Sequence, residues 1–86
     1  MDKEHILRKL RERLTQAQAR RERARRNFEE SIRGKLPNPD GGLVVRRSGQ
    51  EYERAIQAAQ KALLDQTQFI MHGRVPHDLD SDLDAD

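Results

Sequence analysis

Five arginines fall within the ten residues ARRERARRNF, positions 19–28. Side chains of that type at that density could lay a helix along a row of phosphates, because the guanidinium fork matches paired phosphate oxygens. The candidate nucleic-acid contacts are Arg20, Arg21, Arg23, Arg25 and Arg26. No aromatic residues are interleaved among them for base stacking, and no helix-turn-helix, ribonucleoprotein or zinc pattern surrounds them. The acidic end of the chain would also compete for the same surface.

Two further constellations carry less. The C-terminal DLDSDLDAD (78–86) alternates aspartate with other residues as a calcium loop does, yet it lacks glycine at the sixth place and glutamate at the twelfth. His5, His72 and His77 share no helical spacing, and the chain has no cysteine, so they read as surface histidines. No nucleophile elbow, metalloprotease helix, P-loop or dinucleotide fingerprint occurs. A catalytic role, a cofactor, a metal and a small-molecule substrate are therefore not expected.

Local pairing accounts for part of the arginine charge. Glu4 with Arg8, Glu22 with Arg26 and Glu29 with Arg33 stand four apart with the acid first, the favoured orientation on a helix. Arg13, Arg20, Arg21 and Arg23 have no acid at helical spacing, and Arg21 sits on the apolar stripe, where a snorkelling side chain or a polar layer is expected. Residues 1–36 carry twelve Lys or Arg against six Asp or Glu, residues 37–73 four of each, and residues 74–86 one against five. Opposite signs at the two ends predict attraction between them or two separate partner surfaces.

The elements that would position these residues are helical. Between Asp2 and Ile32 there is no proline or glycine, and Leu7, Leu10, Leu14, Ala17, Ala24 and Phe28 recur at three and four, broken only at position 21, with Asp2 placed to cap. This predicts a first helix over about 2–33, ended by Gly34 and Pro37. GKLPNPDGGLVVRR then reads as an ordered loop, 34–47, with turns at Asn38-Pro39 and Asp40-Gly41-Gly42 and with Leu43-Val44-Val45 packed over the helix ends. A capping box of Ser48 and Glu51 would open a second helix over about 48–72, stopped by Gly73 and Pro76. Its stripe of Tyr52, Ile56, Ala59, Leu63, Gln66 and Ile70 is widened on one side by Ala55, Ala62 and Phe69. Residues 74–86 read as a disordered acidic tail.

The fold class expected is all-α: residues 1–73 as a two-helix antiparallel αα-hairpin with coiled-coil-like packing, followed by the tail. Placing Phe28 opposite Ile56 would leave the first helix longer by two turns or more, with Ile6, Leu7 and Leu10 uncovered. A second copy is the simplest cover, and a chain this small gains stability from one. Alternatively, Val75, Leu79 and Leu83 of the tail could lie on Ile6, Leu7 and Leu10, with aspartates facing Arg8, Lys9, Arg11 and Arg13. The functional expectation is a non-catalytic cytoplasmic protein that works by protein–protein association, as a homodimer or with a protein partner. Its interface would comprise Leu7, Leu10, Leu14, Ala55, Ala62 and Phe69. Nucleic-acid regulation through the arginine run is the alternative, and no membrane-spanning stretch is present.

Overall fold

A computed structural model describes residues 2–33 and 40–79, which form two α-helices: α1, Lys3–Arg33, and α2, Asp40–His72. No strand occurs among the described residues. Asp2 caps α1 as its sequence position suggests, its carboxylate oxygen accepting from the amide of Glu4 at 3.1 Å. At the other end of α2, Gly73 adopts φ +69° and its amide donates to the carbonyl of Phe69 at 2.9 Å. That left-handed residue closes the helix, and the Arg74 amide adds a second, longer bond to the carbonyl of Gln68 at 3.4 Å.

The start of α2 differs from the expected one. Residues 40–47 are helical, so the predicted loop of 34–47 can extend no further than residue 39; Gly34, Pro37 and the Asn38-Pro39 turn lie outside the described residues. Ser48 is not a cap but an interior residue, its hydroxyl 2.8 Å from the carbonyl of Val44 and 3.2 Å from that of Val45. A serine that bonds back onto its own helix in this way is compatible with helix continuation. Tertiary contact supplies the rest: the Ser48 and Ser31 hydroxyls are 2.8 Å apart, and Ser31 also donates to the carbonyl of Phe28 at 2.7 Å. Leu43 and Val44, expected to cover the helix ends, are exposed on the first turns of α2.

Contacts descend α1 as they ascend α2. Ser31 meets Ser48, Phe28 packs on Gly49 and Tyr52, and Ile6 and Leu10 sit with Phe69 near the far end. Phe28 thus lies up to about two turns from the Ile56 position that heptad matching suggested, and α1 with 31 residues does not outrun α2 with 33. The reason is the glycine. An added β-carbon on Gly49 would stand 3.2 Å from the Phe28 ring, so any larger residue requires the ring to give way. Tyr52 stands beside it with ring centroids 6.0 Å apart, within the range of favourable aromatic pairs.

Between these ends the seam is made of small side chains. Ala55 is fully enclosed, Ala59, Ala62 and Ala24 are buried as well, and the opposite helix is the element available to bury them. Large buried side chains are confined to one end, where Ile6, Leu10 and Leu79 form a cluster with Phe69 packed against it.

Gly49→Val should therefore force the Phe28 ring aside and lower unfolding stability by roughly 1–3 kcal/mol, the usual penalty for overpacking. Gly42→Ala, in the same helix with nothing within 4 Å of the new carbon, should instead raise it by up to about 1 kcal/mol through backbone entropy. Urea titrations followed by circular dichroism read both.

Candidate association surfaces

The structure separates the six apolar residues singled out from the sequence. Leu10 is 1% exposed, and Ala55 and Ala62 are buried in the seam, so none of these three is an open surface of the chain. Phe69 is half-buried against Ile6, Leu10 and Leu79. Leu7 and Leu14 are half-buried along one edge of α1.

What stands open is the other row of α2. The expected stripe placed Ile56, Ala59, Leu63 and Ile70 against α1 with Ala55 and Ala62 on its outer side; Ala59 is buried as expected, but Ala55 and Ala62 are buried with it. Leu63 is 55% and Ile70 62% exposed, while Ile56 is half-buried. Close approach of two backbones favours alanine at the seam, and rotating α2 to place it there carries the larger residues to the edge. Their spacing of seven matches that of Leu7 and Leu14 on α1. Leu7 and Ile70 line one cleft of about 510 Å³ together with Ile6, Phe69, Val75 and the stem of Lys3. In the same register Leu14 is level with Leu63, and Arg21 with Ile56. Leu7 and Leu14 of this edge were among the residues expected at an interface, whereas Leu63 and Ile70 were expected to face α1.

A second surface lies across the helix pair from this one, and it is occupied. Beyond Gly73 the chain turns back, with the amide of Leu79 donating to the carbonyl of Pro76 at 3.1 Å. Leu79 is fully enclosed by the Ile6 and Leu10 cluster. Beside it, the Arg13 guanidinium reaches the Asp78 carboxylate at 3.2 Å and the Asp78 carbonyl at 3.2 Å, and Lys61 lies 3.9 Å from the same carboxylate. The described part of the acidic tail, residues 74–79, is therefore a docked segment and not a disordered one; Asp80 to Asp86, Leu83 included, lie outside the described residues. Burying one leucine of this kind stabilises by about 1.5–3 kcal/mol. The exposed ion pairs add at most about 1 kcal/mol each.

These charges have readable effects. Burial alone would raise the Asp78 carboxyl, but the Arg13 hydrogen bond and the charges of Arg13 and Lys61 outweigh it and hold the group below its ordinary value. Lys61 is raised, chiefly by its 2.8 Å hydrogen bond to Asp65, with burial opposing and the charges of Asp65 and Asp78 adding to it.

The arginine run is largely engaged. Arg20 donates from Nε and Nη2 to Glu51 on α2, at 3.1 and 2.8 Å. Arg25 is clamped between Glu22 and Glu29, 2.6 Å from the latter, and Arg26 lies 3.7 Å from Glu22. The hydrogen bond from Arg25 holds the Glu22 carboxyl below its ordinary range, against some desolvation and with help from the charges of Arg25, Arg26 and Arg21. Glu29 thus pairs one turn back and not with Arg33, and Arg8 meets the Nδ1 of His5 at 2.7 Å. Arg21 and Arg23 extend into solvent with no ion pair among the described residues, and Arg21 forms no buried polar layer. Among the described residues there is no group of three or more potential metal ligands and no helix long and apolar enough to cross a membrane.

The chain defined by these features is a two-helix all-α protein with one open apolar edge and one self-occupied groove. Comparison with protein-family models, curated protein sequences and solved structures finds no significant match to it.

The Asp78 contribution should vanish in acid. Its depressed carboxyl stabilises docking above the unfolded-state value near 3.8, and the effect is lost as pH falls through the lower folded-state value. Methyl resonances of Leu79 should drift toward their unstructured positions from about pH 4 downward. Asp78→Asn should remove that pH dependence; an unchanged profile would contradict it.

Proposed function

We propose that this protein is a non-catalytic antiparallel helical hairpin that acts by self-association, two copies packing their open edges together into a coiled-coil-like four-helix bundle. The observation that carries this reading is the inverted distribution of side-chain size: alanines lie inside, while Leu63 and Ile70 stand 55% and 62% exposed. A chain stable alone would gain more by enclosing its branched residues, each worth about 1.5–3 kcal/mol when buried. A single core in a protein of this length rarely supplies more than about 3–5 kcal/mol, so enclosing these residues against a second copy is a large fraction of the total. The edge is also self-complementary in form: Leu7, Leu14, Ile56, Leu63 and Ile70 repeat at seven, and a two-fold axis would bring each row against its counterpart.

Nucleic-acid regulation through Arg20, Arg21, Arg23, Arg25 and Arg26 is the weaker reading, because Arg20, Arg25 and Arg26 already hold carboxylates. Arg21, level with Ile56, borders the proposed bundle interface and would snorkel from it to solvent.

Sedimentation equilibrium tests the proposal. Leu63→Asp and Ile70→Asp should each weaken dimerisation at least about ten-fold, equivalent to about 1.4 kcal/mol, with helical circular dichroism retained. Leu10→Asp should instead lose helical signal, since it places a charge inside the Ile6 and Leu79 cluster. A natural chain that is monomeric at high concentration, or a dimer untouched by both edge substitutions, overturns the reading.

A further inference from the structure

The groove filled by Asp78 and Leu79 has the form of a receptor site. It offers an apolar socket made by Ile6 and Leu10, with Phe69 packed on the cluster, and beside it two cations, Arg13 and Lys61, spaced to take one carboxylate. Its ligand is a dipeptide, aspartate followed by leucine. That ligand is joined to α2 by residues 73–77, where Gly73 holds a positive φ.

Three observations bear on how the groove is used. Among the described residues the docked contacts include one enclosed leucine, the Arg13 hydrogen bond to the Asp78 carbonyl, and ion pairs whose carboxylate is 62% exposed. Each of them would be the same if the segment came from another molecule, which is the condition under which exchange of an element between protomers is cheap. The chain also carries the ligand twice, as Asp78-Leu79 and again four residues on as Asp82-Leu83. A copy whose own groove is filled thus still carries a ligand for a neighbour's.

We propose that this groove accepts the acidic tail of a second copy in place of its own, so that chains are linked by trans insertion of Asp-Leu. The inference rests on the groove, which shares Ile6 and Phe69 with the open cleft, and not on the exposure of Leu63 and Ile70. Association by this route is salt-sensitive, because the Asp-Leu recognition includes exposed charge pairs.

Complementation by mixing two full-length variants tests it, each also carrying Leu63→Asp to silence the apolar edge. In one, Arg13→Glu and Lys61→Glu make the groove repel the tail. In the other, Leu79→Ser and Leu83→Ser leave the groove intact and the tail without its leucines. The mixture should associate at a concentration at least about ten-fold lower than either variant alone, because only the mixture combines a working groove with a working tail. No complex on mixing, with both variants helical by circular dichroism, overturns the proposal.

If either variant loses its helices, a fluorescent peptide spanning residues 74–86 added to the natural chain gives the second measurement. Saturable binding that is lost when both leucines of the peptide are serine supports trans insertion. No binding, or equal binding by the serine peptide, overturns it. Persistence of dimers in the natural chain when trans insertion fails would leave the apolar-edge reading standing, so the two outcomes are separable.

Discussion

Close approach of two backbones along an alanine seam is the constraint on which the rest of this structure depends. Ala24 on α1 and Ala55, Ala59 and Ala62 on α2 are all enclosed, and their small side chains bury little apolar area apiece. The seam therefore fixes geometry more than it supplies free energy, since buried area governs the hydrophobic gain. Stabilisation must come from the ends, where the Phe28 ring fills the space over Gly49 and Leu79 completes the Ile6 and Leu10 cluster. The same rotation that turns alanine inward turns Ile56, Leu63 and Ile70 toward the edge. Seam, end clusters and open edge are three consequences of one helix orientation.

The charges follow from that orientation too. An arginine with no acid on its own helix is not thereby free for a ligand, because packing brings carboxylates from elsewhere. Glu51 reaches Arg20 from α2, and Asp78 reaches Arg13 from beyond its end. Within α1, Arg25 takes two acids, and one of them is the acid that strict i,i+4 matching would have given to Arg33. The arginine density is thus in large part the electrostatic complement of carboxylates distributed over three segments. Such exposed pairs contribute modestly to stability, but they select register and orientation, since a slipped pairing would set like charges together.

The elements whose signals are local were legible from sequence: the extent of α1, the Asp2 cap and the end of α2 at Gly73. The start of α2 was not. Asp40-Gly41-Gly42 and the valines argue against helix on intrinsic propensity, and Ser48 with Glu51 has the spacing of a cap. What decides the matter is the Phe28 ring against Gly49 and the Ser31 hydroxyl against Ser48, contacts between residues 17 to 21 apart in the chain. Propensity is a weak prior that such contacts override. The choice of seam row was equally illegible. Counting large apolar residues favours Leu63 and Ile70 beside Ala59 on the inner side, whereas interhelical distance favours Ala55 and Ala62 there, and periodicity alone does not rank the two.

The tail shows why apolar anchoring and charge must be weighed separately. Asp78 makes the attraction to α1 that the charge layout suggests, yet carboxylates against exposed arginines alone would give only a loose, screened association. Leu79 converts that attraction into a position. Once its side chain is enclosed, the Asp78 carboxylate is held between Arg13 and Lys61, and the turn from Pro76 satisfies the Leu79 amide. Without the leucine the charges have no register; without the charges the leucine has a socket but no preferred approach. One apolar residue framed by acids is thus enough to turn a polar C-terminal segment into part of the fold.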